Sequence, residues 1–203
     1  MTELGGLEAI LLAAGSGRRF GGGKLLAPWG DGVLLDGALD AAFSAPVRKV
    51  TVVTGAGAEQ VSEVARTHAR RIGREADLRL VHAPDHEGGM GASLRAGAAS
   101  LPADTSGVFV FLGDMPRIPK SVLVPLSRAL ADGAKAAAPV FDGKRGHPAL
   151  IGPDLLPDIL TLGGDAGARA VLQGLGSGLA LVEAPDDGVL FDVDQPGDLI
   201  PRP

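Results

Sequence analysis

Short apolar runs alternate with helix-spaced apolar stripes from the start of the chain to Ala134. Leu7–Leu12 (LEAILL) is apolar on both faces and soon meets glycine, the pattern of a central parallel strand covered on two sides. Lys49–Thr54, Leu78–Ala83 and Gly107–Asp114 predict three more strands, the last of them the most deeply buried. Val33–Ala45 sets Leu34, Leu35, Ala38, Leu39 and Ala42 on one helical stripe, and Glu59–Arg71 sets Val61, Val64, Ala65 and His68 on another. Met90–Ala99 and Pro119–Asp132 predict two further helices, the second with proline in its first turn, where a missing N–H costs nothing. The order β-α-β-α-β-α-β-α predicts an α/β fold with a mostly parallel central sheet between helical layers.

Beyond Ala134 the pattern loosens. AAAPVFDGKRGHPALI reads as two short strands about a turn at Asp142–Gly143. Short helices are expected near Pro153–Leu160 and Ala166–Leu172, and strands at Leu179–Glu183 and Val189–Asp192. No repeat or linker interrupts the chain, so residues 1–203 are read as one domain.

Composition narrows the function. Hydrophobic residues make up 45% and charged residues 21%, an ordinary globular balance. A net charge of −5 gives no broad basic surface for nucleic acid. The absence of cysteine excludes thiolate metal sites and a cysteine nucleophile. No run approaches the ~20 apolar residues of a membrane span. The N-terminal stretch carries acids and no basic n-region, so a cytoplasmic protein with no membrane partner is expected.

The exception to the acidic balance is LLAAGSGRRFGGGKLL, Leu11–Leu26, at the carboxyl end of the first strand. Ligands of open α/β sheets sit at that edge. Glycine lets backbone N–H groups approach phosphate, and Arg and Lys neutralise it. A phosphate loop ending at Lys24 would need glycine at Arg18 and Ser or Thr at Leu25. A dinucleotide fingerprint begun at Gly15 and Gly17 would need glycine at Phe20. Both patterns fail.

A third pattern fits. LAAGSGRRFGGGK (Leu12–Lys24) resembles the L-A-A-G-x-[SG]-x-R-[MF]-G-x-x-K signature of the MobA-like nucleotidyltransferases, and within them most resembles the molybdenum cofactor cytidylyltransferases. The resemblance implies a three-layer α/β/α, Rossmann-like nucleotidyltransferase fold. It also implies that Leu12, Ala13, Ala14, Gly15, Ser16, Gly17 and Arg18 line the nucleotide, with Arg19 and Lys24 on its phosphates. Gly113-Asp114-Met115-Pro116 matches the family's G-D-[MQ]-P; Gly113 then lies against the nucleotide, and Asp114 is catalytic and a ligand for Mg²⁺, or alternatively Mn²⁺. GMGASLRAG (Gly89–Gly97) is similar to another family segment and brings Ser93 to the nucleotide. An asparagine that often precedes that segment is missing, and Asp85 is its candidate substitute.

Two further segments, RGHP at Arg145–Pro148 and GDAGAR at Gly164–Arg169, resemble the acceptor side of the family. They imply acceptor-binding roles for Arg145, His147, Asp165 and Arg169. LFDVDQPGDL resembles D-[IV]-D-T-P-E-D-L, with Gln195 and Gly197 as departures; Asp192 or Asp194 would complete a metal site with Asp114. The implied reaction is transfer of a nucleotidyl group from CTP or another NTP to a molybdopterin-type phosphomonoester, with a recipient molybdoenzyme as a further partner. Ala14, where the guanylyl branch usually has glycine, points to CTP. The rivals are a guanylyltransferase, a nucleotidyltransferase for another small phosphate acceptor, a non-catalytic cofactor chaperone and an NAD(P)H-binding oxidoreductase.

Overall fold

The computed structural model describes residues 4–17 and 20–199. In chain order the strands are β1 (Leu7–Ala13), β2 (Pro28–Trp29), β3 (Gly32–Val33), β4 (Val50–Thr54), β5 (Leu78–His82) and β6 (Gly107–Leu112), then β7 (Ala136–Phe141), β8 (Lys144–Arg145), β9 (Ala149–Ile151) and β10 (Leu179–Glu183). The helices are α1 (Leu34–Ser44), α2 (Ala58–Arg71), α3 (Met90–Ala99), α4 (Leu123–Ala131), α5 (Leu156–Ile159) and α6 (Ala168–Val171). The main sheet runs β10-β7-β9-β6-β1-β4-β5, with β8 paired to β7. β5, β4, β1 and β6 are parallel neighbours, as are β7 and β10; β9 lies antiparallel between β6 and β7.

All seven residues of β1 are buried, which explains why its sequence lacks alternation. Leu7, Ala9, Leu11 and Ala13 face α1, α2 and α4, whereas Ile10 and Leu12 join Leu94 of α3, Ile159 of α5 and Val171 of α6. The helical layers therefore lie on both faces, as the β-α alternation predicts. Glu8 is the polar break in β1; it is 1% exposed and accepts a bond from Arg48 Nε at 2.9 Å. His68, read from sequence as part of a helix stripe, is buried where α1 meets α2: its Nδ1 is 2.8 Å from Asp36 Oδ1 and its ring stacks on Phe43.

Two local expectations change. Val189–Asp192 is not a strand; a 3₁₀ turn over Asp187–Val189 leads into irregular chain. That segment is held by single contacts, His147 N–H to Val189 O at 2.8 Å and Val193 N–H to Asp114 O at 3.0 Å, and not by a ladder. The helix expected at Pro119–Asp132 starts later, because a 3₁₀ turn over Lys120–Val122 precedes α4.

Candidate active site

β1 and β6 lie side by side with Leu12 opposite Leu112, so the loops that follow them leave the sheet together. The Gly113 N–H donates to Leu12 O at 2.9 Å, and a Cβ on Gly113 would stand 3.0 Å from that oxygen. Glycine there lets Asp114 sit directly beside the first loop. That loop folds back on itself: Phe20 N–H and Gly22 N–H both donate to Gly17 O, at 2.9 and 3.0 Å. Gly21, Gly22 and Gly23 have φ of 89°, 94° and 64°, which L side chains adopt only with strain. The turn delivers Lys24, the first residue of a 3₁₀ turn, against Gly17.

Lys24 Nζ lies 2.7 Å from Asp114 Oδ2 and 4.0 Å from Asp194 Oδ1. The lysine side chain is 14% exposed, so water screens this pair less than a surface pair. Asp192 lies nearby with its side chain still reached by water; partial burial, and then the charges of Asp194 and Asp114, push its carboxyl above the ordinary range, with Lys24 a partial offset. His147 Nδ1 is shielded from water without a hydrogen-bond partner. Burial pulls that imidazole below its usual value; the Val110 carbonyl and the Asp114 charge oppose the shift without reversing it.

A cavity of about 380 Å³ opens on this edge. Its walls are Ala14 to Gly17 and Lys24 from the first loop, Asp114 from the end of β6, His86 and Glu87 after β5, Met90 and Ser93 from α3, and Asp165. Leu12 and Leu112 form its floor with Leu25. Ala13 is buried in the core beneath, and Gly113 supplies the backbone bond described above. Arg18 and Arg19 lie outside the described residues.

A second cavity of about 500 Å³ is lined by Phe141, Lys144, Phe191, Asp192, Asp194 and Asp198, among others. Lys24 on the first cavity meets Asp194 on the second, so the two adjoin. Phe191 is flanked by Trp29, with ring centroids 6.1 Å apart, and by the Arg117 guanidinium, 4.8 Å from its centroid.

Of the expected acceptor residues, Arg145 and His147 are near enough for the Arg145 charge to act on the imidazole. Asp165 lies on the wall of the first cavity, Arg145 is on β8 opposite Val140, and Arg169 is exposed on α6. Asp85 lines a separate groove, and the residues on the cavity wall are its neighbours His86 and Glu87. Their signal was available in the sequence: they follow β5 at the same strand edge as the first loop. Gly55 at the end of β4 shows how closely they pack, since a Cβ there would meet His86 Cγ at 2.5 Å and Ala14 O at 2.7 Å. Among the described residues, no three acidic or histidine side chains form a ready-made metal centre. Of the two candidates beside Asp114, it is Asp194 that reaches the Lys24 ammonium.

The MobA-like NTP transferase domain matches residues 9–184. The chain belongs to this family. The MobA-like chain is 26% identical over 194 residues to the molybdenum cofactor cytidylyltransferase of Escherichia coli, covering 96% of this chain and 94% of that protein. It is 31% identical over 201 residues to the nicotine blue oxidoreductase of Paenarthrobacter nicotinovorans, covering 95% and 94%. Among solved structures, a Mycobacterium sp. strain JC1 homologue of Mycobacterium tuberculosis Rv0371c superposes with a TM-score of 0.80 at 28% identity, over 95% of this chain and 92% of that one. Membership makes this MobA-like chain a nucleotidyltransferase. The named activities of its relatives differ, so the family alone does not assign its substrates. No helix among the described residues is long and apolar enough to cross a membrane.

Proposed function

We propose that the chain transfers CMP from CTP to the phosphate of a molybdopterin-type acceptor and releases pyrophosphate. The observation that carries nucleotidyl transfer is the Lys24–Asp114 pair, at 2.7 Å, on the wall of a cavity built around a glycine loop. Similarity to the Escherichia coli cytidylyltransferase and the alanine at position 14 support the choice of substrates. The runner-up is transfer from GTP or to another small phosphate acceptor on the same site.

The chemistry needs no side-chain nucleophile. A phosphomonoester has a second pKa near 6, so one of its oxygens is already nucleophilic at neutral pH. That oxygen attacks the α-phosphorus, the bond to the β-phosphate bridging oxygen breaks, and pyrophosphate leaves with the electron pair. The obstacle is repulsion between two anions. Lys24, the Gly15–Gly17 backbone and Arg19 are assigned to hold and neutralise the triphosphate, so that developing charge meets donors already in place.

A divalent cation fits the donor set. Asp114 and Asp194 each bring a carboxylate oxygen within 4.0 Å of the Lys24 ammonium, and Asp192 is pushed up by burial first and then by the charges of those two carboxylates, with Lys24 a partial offset. Mg²⁺ takes oxygen ligands and typically uses one or two carboxylates together with substrate phosphates. Asp114 and Asp194 are assigned to hold it, or Mn²⁺ in its place. When bound, the ion supplies charge neutralisation at the phosphates.

The test is pyrophosphate release by the purified chain with Mg²⁺, molybdopterin carrying molybdate, and each of the four NTPs in turn. Release with CTP alone is expected. A preference for GTP moves the assignment to the guanylyl branch. Silence with all four overturns the enzymatic reading in favour of a cofactor-binding chaperone, and a parallel NADH titration checks the oxidoreductase alternative.

A further inference from the structure

We infer that His68, which lines neither cavity, is a positioning residue: its bond to Asp36 fixes the first turn of α1, against which Lys24 and Asp114 are both set. This rests on the proposed nucleotidyl transfer. The chain of contacts begins at the Asp36 carboxylate, whose two oxygens face different elements. Oδ2 accepts the Val33 N–H at 3.0 Å and so caps α1. It lies so close to β3 that a Cβ on Gly32 would stand 2.5 Å from it. Oδ1 takes the bond from His68 Nδ1, on α2, at 2.8 Å. Hydrogen bonds to a charged acceptor are the stronger kind.

The residues on either side of Asp36 reach the catalytic pair. Leu34 N–H donates to Ala27 O at 2.9 Å, and Ala27 N–H donates to Lys24 O at 3.1 Å, which ties α1 to the turn that carries Lys24. Leu35 packs on the residue before Asp114, since a Cβ on Gly113 would stand 3.2 Å from Leu35 Cδ1. Gly37 packs on the turn after Asp114, since a Cβ there would stand 2.4 Å from Pro116 O. Leu34, Leu35 and Gly37 thus back both halves of the Lys24–Asp114 pair, and Asp36 among them holds α2.

Packing does not account for an imidazole at this place. The Arg71 guanidinium is 3.0 Å from Nδ1 and 3.7 Å from Asp36 Oδ1; it has no acceptor, so the Nδ1 proton goes to the carboxylate. On the far side Nε2 is buried and makes no hydrogen bond, although Asp40 Oδ1 is 3.3 Å away. A buried polar atom left without a bond costs stability, and an apolar ring would stack on Phe43 without that cost. What the imidazole adds is direction: it holds one carboxylate, and with it one turn, in a single place. Displacing reacting groups by about 1 Å costs ~10²-fold in rate, and a loosened turn is expected to cost part of that.

The test is steady-state pyrophosphate release by the full chain, with whichever NTP and acceptor the wild-type chain uses, beside thermal melts. His68→Phe keeps a buried ring against Phe43 and removes the bond to Asp36. It should melt close to the wild type, yet lose about tenfold in kcat with KM for the NTP within about twofold. His68→Gln, which keeps an N–H donor, should return kcat to within about threefold of wild type. In a Lys24→Ala background His68→Phe should cost less than about twofold, because residues that act through one group are not additive. Asp36→Ala breaks the same bond from its partly exposed side and serves if His68→Phe does not fold. A stable His68→Phe chain with wild-type kcat, or a loss undiminished in the Lys24→Ala background, overturns the inference and leaves nucleotidyl transfer standing. A wild-type chain silent with all four NTPs overturns both.

Discussion

Lys24 Nζ and Asp114 Oδ2 are 2.7 Å apart although ninety positions separate them along the chain. Asp114 follows close on the end of β6, and the glycine loop after β1 folds back to bring Lys24 to it. β1 and β6 are paired in parallel, so the turn after one and the turn after the other reach the same place. The cation there faces two carboxylates, Asp114 and Asp194, and from the wall of the first cavity it meets Asp194 on the wall of the second.

Charge removal at this point should strike turnover. Lys24→Ala, Asp114→Ala and Arg19→Ala are each expected to lower the rate of pyrophosphate release by ~10²–10³, the usual effect of losing one preorganised group. Circular dichroism should show the sheet intact in each. Near wild-type rates in all three variants would remove the basis for the proposed reaction.

Gly37 offers a test of positioning from outside the cavity. It lies in α1, and a Cβ there would meet Pro116 O at 2.4 Å and Pro116 Cα at 2.7 Å. Alanine ordinarily favours a helix over glycine, yet here it must push the turn that carries Asp114. Gly37→Ala is expected to cost about 1–3 kcal/mol of stability, as overpacking does, and to lower activity as well. Thermal melts and the pyrophosphate assay read the two effects, and a more stable, fully active variant would show that the turn yields freely.

Asp192 should be a stability cost in the metal-free chain. Its carboxyl titrates above its unfolded value of 3.8, so the folded state holds its proton more tightly than the unfolded state does. The charge penalty is therefore complete above the raised pKa, and it fades as pH falls through that value toward 3.8. Asp192→Asn is expected to raise the melting temperature at neutral pH, with the gain vanishing near pH 3.8. A lower melting temperature at neutral pH would count against the reading of mutual repulsion.

His147 should act in the opposite direction. Its folded value lies below 6.5, so the unfolded chain takes up a proton that the folded chain resists. Its contribution is whole above pH 6.5 and is lost as pH falls below it toward the folded value. His147→Asn is expected to flatten the stability profile below pH 6.5, measured as melting temperature against pH. An unchanged acid limb would mean that the imidazole protonates freely in the native state.

Much of this protein was legible before folding was considered. The unbroken apolar run Leu7–Leu12 marked a central strand because burial on both faces leaves no polar side to alternate. The spacing of Arg18, Phe20 and Leu25 excluded two phosphate motifs, and the resemblance carried by LAAGSGRRFGGGK reached the family that residues 9–184 match. These features are local: each is written in side-chain order or in periodicity within one segment.

Tertiary structure decided what depends on segments meeting. Val189–Asp192 has strand-like residues but forms no ladder, and after a 3₁₀ turn it runs as irregular chain tied by single contacts such as His147 N–H to Val189 O. His68 on its helical stripe gave no hint of Asp36, which lies on another helix. GDAGAR was grouped with Arg145 and His147 by sequence, yet Gly89 and Gly91 admit its loop to the start of α3 and place Asp165 in the first cavity. Periodicity specifies which side of a segment avoids water. Which distant segment covers that side is settled only when backbones pack closely enough for the absence of a single Cβ to matter.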